Sequence, residues 1–178
     1  MVPDEVRALV DYCDERSLPL WLVSEQRSRF NYHFNDRVPV VMAEIHTEIP
    51  ERCDLHIMLQ EPVVKAVMFL TAQEVREGPL SFMPHARSTQ WFIHGQDIIP
   101  AEGGKLPAMR FMAEANGWTP DELMAFGDSE NDNEMLRYAG TGVAMGNALE
   151  ETKAASDYVT DDCDDEGVAH ALAHFALI

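Results

Sequence analysis

Phe126-Gly127-Asp128-Ser129-Glu130-Asn131-Asp132 joins an apolar run, Leu123-Met124-Ala125-Phe126, to a helical pattern over Glu130 to Ala139. A buried strand that enters a Gly-Asp turn and leaves as a helix marks an open α/β sheet, where ligands sit beyond the carboxyl ends of strands. Asp128 and Asp132 offer hard oxygen donors of the kind a hydrated Mg2+ takes from protein, and Asn131 adds a neutral amide. Upstream, Gly103-Gly104-Lys105 places a cation at the start of another helix, where it can pair with an anionic oxygen. Lys105, Asp128, Asn131, Asp132 and Mg2+ together describe a phosphate site. Acidic residues also settle at helix N-termini for electrostatic reasons alone. Two such turns in one half of the chain exceed what capping requires.

Outward from this stretch, helix and short apolar strand alternate. Lys105 to Asn116 reads as a helix carrying Leu106, Met109 and Met112 inward, with Gly117 as its C-terminal cap. Thr119-Pro120-Asp121-Glu122 is a start signal with Thr at N-cap and Glu at N3. Strands at 142–145 and 158–160 and helices at 148–155 and 166–177 complete an α/β rhythm with a parallel sheet. Before Pro100 the texture differs. An amphipathic helix spans 3–16, strands are expected at 20–23, 29–34 and 63–70, and helices at 37–47 and 71–77. A hairpin joins 88–94 to 97–100 through Gly95-Gln96. The expected division is 1–97 and 98–178.

The composition excludes some partners. Lys+Arg 13 against Asp+Glu 31 gives a net charge of −18, which disfavours nucleic acid and anionic membrane surfaces. With 46% hydrophobic and 25% charged residues the chain can bury a core. No apolar run is long enough to span a bilayer, and Met1-Val2-Pro3-Asp4-Glu5 does not read as a signal peptide, so a cytoplasmic location is expected. Cys13, Cys53 and Cys163 are expected to be reduced thiols. Gly103-Gly104-Lys105-Leu106 is not a nucleotide-binding P-loop, because Leu106 stands where Ser or Thr is needed. A zinc site from Glu44, His46, Cys53 and His56 has tight spacing only at Cys53-x-x-His56, and an EF-hand begun at Asp162 ends on Ala173 instead of Glu. Trp91 and His94 are expected to pack, not to meet a substrate.

The segments Gly127 to Leu136, Ala139 to Ala148, Ala155 to Thr160 and Glu166-Gly167-Val168 resemble the C-terminal signature of Cof-type phosphatases of the haloacid dehalogenase (HAD) superfamily. The resemblance extends back through Ile98-Ile99-Pro100 and Lys105, and more loosely through residues 1–97, which resemble that family's inserted α/β cap with antiparallel strands. It implies a HAD-like partial Rossmannoid core over 98–178 and a substrate-specificity cap over 1–97. It also implies Mg2+-dependent hydrolysis of small phosphorylated metabolites such as sugar phosphates. Lys105 would neutralise the phosphate and orient the nucleophile, Asn131 would contact the phosphate, Asp128 would ligate Mg2+, and Asp132 would support the metal shell.

The resemblance further implies an N-terminal Asp-x-Asp-Gly-Thr motif carrying the nucleophile, which these 178 residues do not contain. The single Asp-x-Asp, Asp162-Cys163-Asp164, falls in a late acidic turn. The expectation is therefore a cap plus C-terminal half-core, inactive until a second chain or an absent segment supplies the nucleophile, or a homodimer formed through an exposed sheet edge. The alternative is a non-catalytic subunit or regulatory module that binds phosphate and Mg2+.

Overall fold

The computed structural model describes residues 1–178, which form two compact units, 1–102 and 103–178. The strand crossing residues 97 and 98 belongs wholly to the first sheet, where Ile98 pairs with Ala66. The division thus falls after Glu102 and not between 97 and 98.

In the first unit, helix α1 (Pro3–Glu15) starts on proline, whose fixed φ suits the first helical turn. It is followed by β1 (Leu20–Ser24), β2 (Ser28–Phe30), α2 (Arg37–Glu44), β3 (Val63–Met68), α3 (Ala72–Glu77), β4 (Ala86–Phe92) and β5 (Gly95–Pro100). The strands form an antiparallel sheet in the order β2-β1-β3-β5-β4. Alternation along the strands supplies two apolar faces. Leu20, Leu22, Ala66, Met68 and Ile98 pack with Val6, Leu9, Val10 and Cys13 of α1. Phe30 and Val67 pack with Val38, Val41 and Met42 of α2.

Two local expectations change. The second strand stops at Phe30, because the Asn31 side chain turns back to accept from Leu20 N and to donate to Leu18 O. The β4–β5 turn is Ile93-His94, and Gly95 lies inside the strand, paired with Phe92. A Cβ at Gly95 would stand 2.8 Å from the Trp91 ring, whose Nε1 donates to Asp97. Glycine is needed there as the floor beneath an indole, not for the turn.

The second unit contains α4 (Lys105–Asn116), β6 (Met124–Gly127), α5 (Asn133–Tyr138), β7 (Thr141–Ala144), α6 (Glu150–Lys153), β8 (Tyr158–Val159) and α7 (Gly167–His174). Its sheet is parallel, ordered β6-β7-β8, with β6 at one edge. Ala125, Leu136 and Ala139 form its apolar centre with Met109, Leu123 and Met135. Met112 faces outward, 53% exposed, as does Phe111 at 70%; α4 buries only Ala113 fully and keeps Leu106 and Met109 half-buried. The Thr119 capping box forms as the sequence signals. No helix is long and apolar enough to cross a membrane.

Glu74, at N3 of α3, receives both guanidinium nitrogens of Arg37 and the amide and hydroxyl of Thr71. The Arg37 hydrogen bonds lead in holding its carboxyl down to about 2. A depressed carboxyl stabilises the fold above its unfolded pKa and ceases to do so as pH falls from about 4.5 toward 2. Because this side chain is 43% exposed, solvent screening reduces the contribution to about 1 kcal/mol. Urea unfolding should show Glu74→Gln weaker than wild type by that amount at pH 7 and indistinguishable from it near pH 2.

Candidate functional site

The site lies at the carboxyl end of β6. Gly127 ends the strand, Asp128 and Ser129 turn away, and residues 130–132 make one tight 3-10 turn before α5 begins at Asn133. The expected single helix over 130–139 is thus a turn followed by a helix. The turn allows Asp132 to fold back beneath the loop, where it is 1% exposed.

A buried carboxylate must find donors, since desolvation otherwise drives it out or neutralises it. Asp132 Oδ2 accepts from Asp128 N at 3.1 Å and Ser129 N at 3.3 Å, and Oδ1 accepts from Lys105 Nζ. Gly127 makes room for this: a Cβ there would stand 2.3 Å from Asp132 Cβ. The loop is further tied to the end of β7, since Met145 N donates to Gly127 O at 2.9 Å and Leu149 N to Asp128 O at 3.1 Å.

The sequence-derived residues therefore come together and divide by orientation. Lys105, 48% exposed, spends one N–H on Asp132 and keeps its other donors toward solvent. Asp128 is exposed and its carboxylate has no hydrogen-bond partner in the chain. Asn131 is half-buried; its Oδ1 accepts from Ser129 Oγ at 2.7 Å, and its Nδ2 is not engaged. Asp132 has both oxygens on donors of the chain itself. The site thus offers an ammonium, an amide donor and one open carboxylate, a set that fits an anion bound beside a hard divalent cation. Ser129 was absent from the sequence-derived set; its signal is the hydroxyl two positions before Asn131, which reads as an ordinary turn residue.

The other candidates fall elsewhere. Asp162, Cys163 and Asp164 place their ligand atoms within 4.8 Å of one another after β8. This turn follows β8, which β7 separates from β6 in the sheet. His56 is held between Asp11 at 2.9 Å and Asp54 at 2.8 Å, and Glu44, His46, Cys53 and His56 do not gather as a metal cluster. Trp91 packs on the sheet, as expected.

A family model for haloacid dehalogenase-like hydrolases matches residues 1–172. The chain belongs to this family. YkrA of Bacillus subtilis (strain 168), provisionally named a phosphatase, is 29% identical over 173 residues, covering 97% of this chain and 66% of YkrA. Pyridoxal phosphate phosphatase YbhA of Escherichia coli (strain K12) is 43% identical over 85 residues, 47% of this chain and 31% of YbhA. The structure of the HAD subclass IIB sugar phosphatase BT4131 superimposes with a TM-score of 0.87 at 29% identity, covering 100% of this chain and 68% of that one. The chain thus spans about two-thirds of the length of YkrA and BT4131. Within the HAD-like fold, Lys105, Asp128, Asn131 and Asp132 all lie in the parallel-sheet unit.

Two variants test this architecture. Gly127→Ala forces either the strand end or Asp132 to move and should cost about 2 kcal/mol by overpacking. Asp132→Ala leaves two backbone N–H groups without their acceptor and releases the half-exposed Lys105 ammonium to solvent, and should cost about 2 to 4 kcal/mol. Both are read from urea midpoints. A wild-type midpoint for Asp132→Ala would contradict its place at the centre of the loop.

Proposed function

We propose that the chain forms the cap and the C-terminal half-core of a Mg2+-dependent phosphatase acting on small phosphorylated metabolites such as sugar phosphates. The observation that carries this reading is the division of labour at the end of β6. Asp132 is consumed internally, while Lys105, Asn131 Nδ2 and the Asp128 carboxylate stay open on one short loop and one helix start. Family membership supports the reaction class, and the likeness to BT4131, a sugar phosphatase, supports the substrate class.

In this reading the Lys105 ammonium and the Asn131 amide donate to phosphoryl oxygens and hold the charge that builds on them during transfer. Asp128 holds Mg2+, which when bound neutralises phosphate charge in a protein of net charge −18. The attacking carboxylate comes from a segment outside these 178 residues, in a second chain or in more of the same one. The bond from its oxygen to phosphorus forms as the bond from phosphorus to the ester oxygen breaks, the leaving oxygen taking a proton to depart as the alcohol; water then attacks the aspartyl phosphate, which returns the carboxylate and releases inorganic phosphate. The open side of β6 is where such a segment can add, and it could equally join two copies of the chain. The second reading, a phosphate- and Mg2+-binding module without catalysis, is favoured by the position of the lone Asp-x-Asp two strands from Asp128.

The test is p-nitrophenyl phosphate hydrolysis by the 178-residue chain with MgCl2, beside calorimetric titration with inorganic phosphate. We expect no hydrolysis above that of Asp128→Ala, and Mg2+-dependent phosphate binding that Lys105→Ala and Asp128→Ala each weaken at least about tenfold. Hydrolysis abolished by Asp128→Ala would place a nucleophile inside the chain. Absence of phosphate binding would remove the phosphate site itself.

A further inference from the structure

We infer that Ser129 is a positioning residue for phosphate recognition: its hydroxyl locks the side-chain amide of Asn131 with the N–H2 end facing outward. This rests on the phosphate site proposed above and adds a residue to it.

The hydroxyl has one proton and two acceptors near it. Asp132 Oδ2 lies at 3.5 Å and already receives two backbone N–H groups, whereas Asn131 Oδ1 lies at 2.7 Å. Distance and competition both send the proton to Asn131. The backbone that carries this hydroxyl is held in place, because the Ser129 N–H donates to Asp132. A primary amide has a donor end and an acceptor end of nearly the same shape. An unrestrained Asn131 would therefore spend part of its time with the oxygen outward before an anion arrives, and would have to turn on binding. With Oδ1 tied to Ser129, only Nδ2 remains for a phosphate oxygen. The buried carboxylate thus acts twice, holding Lys105 directly and holding Asn131 through the Ser129 backbone, so that both donors are in place before the anion arrives. Such preorganisation strengthens binding by removing misoriented states beforehand.

The experiment compares wild type, Ser129→Ala, Ser129→Thr, Asn131→Ala and the double variant Ser129→Ala/Asn131→Ala. Inorganic phosphate with MgCl2 is titrated calorimetrically, and the Asn131 side-chain amide signals are recorded by NMR without phosphate. Ser129→Ala should weaken phosphate about three- to tenfold, Ser129→Thr should restore it, and Ser129→Ala should have no further effect once Asn131 is alanine. The Asn131 amide signals should move toward those of a freely rotating side chain in Ser129→Ala alone. A merely structural serine would instead give additive losses and leave these signals unchanged. Either result overturns the inference, as does full phosphate affinity in a folded Ser129→Ala. If wild type binds no phosphate, the phosphate site falls, and the amide signals alone decide whether Ser129 holds Asn131.

Discussion

A negative charge placed where water cannot reach it demands compensation, and at the end of β6 every neighbouring feature serves that demand. Asp132 is almost wholly buried and takes the backbone of Asp128 and Ser129 on one oxygen and the Lys105 ammonium on the other. The tight turn over 130–132 brings it beneath the loop, and a residue without Cβ at 127 lets it stay. A carboxylate satisfied in this way rigidifies its surroundings, because each donor it accepts loses an alternative conformation. Sheet, loop and α4 therefore meet through one side chain.

That arrangement separates two tasks that the same residue type would otherwise share. One aspartate is spent inside the protein, and the other, Asp128, stands outside with its carboxylate unengaged. A chain of net charge −18 repels anions at long range, so affinity for one has to come from groups at contact distance. In the proposed reading Lys105 and the Asn131 amide would be such groups; Lys105 is hydrogen-bonded to Asp132 and Asn131 to Ser129.

Much of this was legible in the order of residues. The parallel sheet followed from apolar runs separated by helical patterns, and the capping box at Thr119 formed because its chemistry is local and complete within four residues. Lys105, Asp128, Asn131 and Asp132 could be read from type and spacing. What could not be read depends on packing. Asp128 and Asp132 look alike as letters, and only burial tells which one turns inward. Met112 fits a helical stripe with Leu106 and Met109, yet its side of α4 meets no apolar partner within the unit, while Ala113 packs instead. Gly95 followed by Gln96 matches a hairpin turn, but the Trp91 indole claims the space above the glycine, and the turn moves to Ile93-His94. In each case packing and burial, which residue type alone does not carry, decided the outcome.

The strand order of the first sheet sets a sequence of events during synthesis. β5 is the last of its five strands in the chain, yet it lies between β3 and β4 and pairs with both. Until residues 95–100 have left the ribosome, β4 has no neighbour in the sheet and β3 has only one. The first unit can therefore nucleate around β1, β2, β3 and α1 but cannot close, because the β3–β5 pairing waits on the six residues of β5. A nascent chain halted before Gly95 exposes the edge of β3 to chaperones and to other copies of itself, whereas one halted after Glu102 has every strand it needs.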